Sequence, residues 1–100
     1  MLLHTVNKSP FEKNALDSCL RMAKAGSSIL LIEDGVYAAT NNTSVSEKVK
    51  GVMGDITVYA LEEDVKARGM QDKVMDGIKL VDYAGFVDLV AESDNVSAWL

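Results

Sequence analysis

Ile29-Leu30-Leu31-Ile32 is the stretch that most restricts how this chain can fold. A run of consecutive apolar residues asks for burial on both sides, whereas a strand with one wet face alternates. The run is too short for a buried helix and lies between Gly26-Ser27-Ser28 and Gly35, residues that punctuate elements. It predicts a central strand of a parallel sheet with helices on both faces. Glu33 and Asp34 follow at the carboxyl end of that strand, the side of an open α/β sheet where ligands gather.

The flanking segments read as layers around this strand. Residues 2–6 form a first strand containing His4. Ser9-Pro10-Phe11-Glu12 has the pattern of a capped helix start, and Gly26 closes the helix. At about 100° per residue, Phe11, Ala15, Leu16, Cys19, Leu20 and Met22 share one half of the wheel. Lys13, Asp17 and Arg21 fall on the other half, with Asp17 and Arg21 spaced as an i,i+4 pair.

Residues 35–39 are small and apolar and predict a short helix on the sheet. Ser44-Val45-Ser46-Glu47 reads as a second capping box, followed by Val49, Val52 and Met53 at helical spacing. Residues 56–61 are rich in strand formers, and Glu62-Glu63-Asp64 opens a helix that Gly69 ends. Residues 70–77 are polar and irregular. A short strand at 78–81 and a last helix capped by Asp82 and carrying Phe86, Val87, Leu89 and Val90 complete the pattern, with Trp99 near the end. The expectation is one α/β domain over residues 1–100: three layers, α/β/α, with a mostly parallel sheet of four to five strands.

Composition narrows the function classes. With 48% hydrophobic residues in 100, the chain suits a small globular domain whose core a partner could extend. A net charge of -5 argues against direct nucleic-acid binding, which needs a basic face. No secretory signal or membrane-length apolar run is visible, so a cytoplasmic protein is expected. One cysteine and one histidine make a nitrogen–sulfur zinc site improbable, and the glycine loops of nucleotide sites and the serine elbow of hydrolases are missing. No cofactor and no metal are expected.

Three sites could carry chemistry. His4 within its strand reads first as a packed structural histidine. Glu33 and Asp34 could line a pocket, but as readily solvate and cap the following turn. Cys19 could hold sulfur as a thiolate or persulfide, or be an inert buried thiol.

Met1-Leu2-Leu3-His4-Thr5 with Ser9-Pro10, the block from Leu30 to Ala39, and Val58-Tyr59-Ala60-Leu61 with Asp64 and Ala67-Arg68-Gly69 together resemble the DsrH/TusB family. Asp82-Tyr83, Phe86-Val87 and Trp99 match that family's tail. The resemblance spans nearly the whole chain in order, departing by one extra leucine near the start. It implies a subunit of a cytoplasmic sulfur-relay complex, joined with DsrE/TusD-like and DsrF/TusC-like sister subunits in a two-of-each hetero-hexamer. Such complexes pass persulfide sulfur between cysteines toward a downstream sulfur-carrier protein, in dissimilatory sulfur oxidation or toward tRNA 2-thiouridine. The resemblance puts the main reactive cysteine on the DsrE/TusD-type subunit and makes this chain an accessory one. Cys19 matches a first-helix cysteine of the DsrH branch that the tRNA branch often lacks, which favours sulfur oxidation.

Three roles stand side by side: a transfer subunit with Cys19 as secondary sulfur acceptor, a non-catalytic assembly subunit, and a freestanding ligand-binding domain using Glu33 and Asp34. As an oligomer subunit with apolar residues to spare, among them Val36, Tyr37 and Trp99, the isolated chain should self-associate or lose stability.

Overall fold

The computed structural model describes residues 2–12 and 14–99. Lys13, assigned above to the polar half of the first helix, lies outside them. Five strands form one sheet: β1 (Leu2–Val6), β2 (Ser28–Leu31), β3 (Thr57–Leu61), β4 (Lys79–Val81) and β5 (Asn95–Trp99). Their order is β4-β3-β2-β1-β5 and every pairing is parallel. The apolar run therefore occupies the middle strand, and all of Ser28–Leu31 is buried.

Helix placement follows from the handedness of parallel crossovers. The chain steps from β1 to β2 to β3 to β4 in one direction, so right-handed connections stack on one face. These are α1 (Ala15–Met22), a 3-10 helix at Glu33–Ala39, α2 (Ser46–Val52) and α3 (Glu62–Ala67). From β4 the chain crosses back to β5 at the opposite edge. That reversal puts α4 (Tyr83–Glu92) on the other face, where its Phe86 and Leu89 meet Leu3 and Leu30. The first face holds the larger core, in which Val6, Ile29 and Leu31 meet Leu16, Cys19, Val49 and Val65 among others.

Several local expectations change. Ser9 does not begin the first α-helix: its hydroxyl accepts from the Phe11 N–H at 3.2 Å and its carbonyl accepts from the Glu12 N–H at 3.2 Å. A serine whose oxygens satisfy the next amides stabilises a turn, and helix begins only at Ala15. Phe11, outside the helix, is left 55% exposed. Ser44 gives way to Ser46, whose hydroxyl donates to the Thr40 carbonyl at 2.8 Å and accepts from the Thr43 N–H at 2.9 Å. Asp17 pairs with Lys48 of α2 at 3.0 Å instead of with Arg21. Asp82 caps α4 as expected, accepting from the Gly85 N–H at 2.8 Å.

The tail after the Asp94-Asn95 turn is a strand, β5, paired with β1 from Leu2↔Asn95 to Val6↔Trp99. The supposed apolar surplus is also misplaced. Val36 is fully buried, and Tyr37 and Trp99 pack against the larger core.

Candidate functional site

The carboxyl ends of the strands are organised around Glu33. Its φ of 51° is left-handed, a conformation that costs a non-glycine residue energy unless its neighbours hold it. The Glu33 N–H donates to Asp64 Oδ2 at 2.7 Å, which fixes the turn out of β2 to the first turn of α3. The next residue, Asp34, accepts from Arg68 Nε at 3.1 Å and Nη2 at 2.9 Å. Arg68 also donates from Nη1 to the Asp64 carbonyl at 3.2 Å, joining the two ends of α3 to the 3-10 helix. Gly35 completes the turn, because a Cβ there would overlap the Val6 carbonyl.

Glu33 and Asp34 are thus exposed anchors of a turn: Glu33 is held through its backbone N–H by Asp64, and the Asp34 carboxylate turns to Arg68 rather than to a cavity. Arg68, Asp64 and Glu63 escape a reading based on position alone, since they lie more than 25 residues from Glu33. The signal that groups them is the resemblance itself. Two of its blocks, Leu30 to Ala39 and Val58 to Gly69, are the segments this network joins.

Ligand crevices in such sheets form where adjacent strands send their connections to opposite faces. Here that place lies between β3 and β4. Glu63 fills it: Oε2 accepts from the Tyr83 N–H at the start of α4 at 3.3 Å, while Oε1 is buried without a partner among the described residues.

His4 and Cys19 lie under the larger helical layer, away from this edge. His4 is 3% exposed, and its Nδ1 accepts from Trp99 Nε1–H at 3.0 Å. A neutral ring then carries its proton on Nε2, which meets no partner among the described residues. Burial pulls the His4 pKa below its usual value. Cys19 is 0% exposed in the middle of α1, and burial pushes its thiol up to about 12. It lies beyond the first turn of its helix, so the macrodipole does not activate it. No hydrogen bond links His4 to Cys19.

The model of the DsrH like protein family matches residues 8–96. The chain is 36% identical over 98 residues to Protein TusB of Escherichia coli K12, covering 98% of this chain and 100% of that one. It belongs to the DsrH/TusB family. Protein TusB of Pectobacterium parmentieri is 33% identical over 98 residues, with the same coverage of both chains. The crystal structure of the ychN protein from E. coli superposes with a TM-score of 0.88 at 15% identity, covering 97% of each chain, which supports the fold alone. Among the described residues no helix is long and apolar enough to cross a membrane.

Proposed function

We propose that this chain is a TusB-type accessory subunit of a cytoplasmic sulfur relay that feeds 2-thiouridine formation in tRNA. The observation that carries the reading is the end-to-end match to proteins named TusB at 33–37% identity. It outweighs the first-helix cysteine that favoured dissimilatory sulfur oxidation, because one residue weighs less than a whole-chain likeness. In this reading DsrE/TusD-like and DsrF/TusC-like subunits complete a hetero-hexamer, and persulfide sulfur leaves it on a downstream carrier protein. The net charge of -5 favours a chain that takes part without binding the tRNA itself.

Within the complex the role supported best is assembly. A thiol that is closed off and protonated is a poor nucleophile, so Cys19 acts as a secondary acceptor only where partner subunits uncover it. Deleting the gene should abolish 2-thiouridine in tRNA, read by nucleoside mass spectrometry, and the Cys19→Ser variant should restore most of it. Unchanged thiouridine together with impaired sulfur oxidation would return the chain to the DsrH-type reading. Intact-protein mass spectra after persulfide exposure should show no added sulfur atom on the isolated chain. Rapid loading of Cys19 there would overturn the assembly role.

A further inference from the structure

Helix α4 carries apolar residues over more than half of its circumference. Phe86 and Leu89 face the sheet. At about 100° per residue, Tyr83, Val87, Val90 and Ala91 form a second stripe that points away from it. Tyr83 is 57% exposed, Val87 66% and Val90 40%. Between Phe86 and this stripe runs an apolar groove of about 370 Å³. The other described helices have no such second stripe; α1, for instance, turns Asp17, Ser18 and Arg21 outward. A contiguous exposed apolar patch of this kind marks an interaction surface.

The border of the stripe says what covers it. Asp88 and Glu92 are the charged side chains of α4, both exposed, and the helix carries no basic residue. Register adds Lys79, aligned with Tyr59, as the one cation that the strands place on this face. A second copy docking through the same stripe is isologous, so it would bring two acidic borders, each with Asp88 and Glu92, into one interface with only Lys79 of each copy to offset them. Like charges across an interface select against that partner, and opposite ones steer the right partner in.

We propose that the Tyr83–Val87–Val90 stripe of α4 is the surface by which this chain docks onto a sister subunit, whose matching patch is apolar and bordered by lysine or arginine. The inference rests on the relay reading for the identity of the partner and adds the place and the chemistry of contact. Co-expression of the chain with its DsrE/TusD-like and DsrF/TusC-like subunits, followed by co-purification and affinity measurement, tests it. Val87→Glu should weaken capture at least about tenfold, as loss of a central apolar anchor does, with an unchanged melting temperature. Met22→Glu, equally exposed at 66% but on α1, should bind as the wild type does. The double variant Asp88→Lys, Glu92→Lys should slow association and invert its salt dependence, since salt then screens a repulsion. Sister subunits that bind the Val87→Glu variant as tightly as the wild type would overturn the docking surface and leave the relay reading standing. Sister subunits that bind no form of the chain would overturn both. Sedimentation of the chain alone as a dimer that Val87→Glu dissolves would replace the sister subunit by a second copy.

Discussion

Val6, Ile29 and Leu31 on one side of the sheet are sealed by α1, α2, α3 and the 3-10 helix, whereas Leu3 and Leu30 on the other side meet α4 alone. The difference is topological. Successive right-handed crossovers in one direction stack their helices together, and only the returning connection reaches the opposite face. The crowded side can bury its helices' apolar stripes completely. The sparse side has one helix to cover a five-stranded sheet, and that helix is left with apolar surface of its own. One face therefore stabilises the fold, and the other is the natural place to look for association.

The middle strand is where a single substitution does most damage. Leu31→Asp should unfold the domain, since an unpaired buried charge costs several kcal/mol against a total stability of about 5–15 kcal/mol. Hydrogen exchange across the sheet is the readout, and native protection would contradict the central placement. Next in size is Leu16→Ala on the buried face of α1, expected to cost about 2–5 kcal/mol in chemical denaturation because Leu16 is 2% exposed. Gly35→Ala should cost about 1–3 kcal/mol, as the added methyl forces the 3-10 helix away from the Val6 carbonyl.

A smaller effect should come with pH. His4 is buried neutral, so its folded-state pKa lies below the unfolded value of about 6.5. On acidification the unfolded chain takes up the proton first. The contribution of His4 is therefore fully present above that value and is lost as pH falls through the folded-state pKa. Protonation also turns Nδ1 into a donor facing the Trp99 N–H. Melting temperatures measured from roughly pH 8 to pH 5 should drop, and His4→Asn, which keeps an acceptor for Trp99, should flatten part of that drop. The smallest effect belongs to the sparse face. Val87→Ser should change the stability of the isolated chain by no more than about 0.5 kcal/mol. A loss as large as that of Leu16→Ala would mean that α4 is as tightly packed as α1 and would erase the contrast between the faces.

Local pattern was enough to specify the alternation of strands and helices, the parallel class and the central strand. Ile29 to Ile32 has no polar position to give to solvent, and that pattern is local. The sequence also carried the family, because the blocks around Leu30, Val58 and Asp82 recur in order. Helix and strand edges were less legible: Ser9 and Pro10 satisfy the rules for a helix start, yet the same hydroxyl can close a turn, and local chemistry does not choose between them. The partners of distant residues were legible least. Arg68 on Asp34, Trp99 on His4 and β5 beside β1 each join residues whose separation along the chain hides them from any periodicity. Long-range packing is what seals Cys19 in the core and leaves Tyr83, Val87 and Val90 exposed. All four stand on apolar helical positions, and a helix wheel shows which residues share a face but not whether anything covers it.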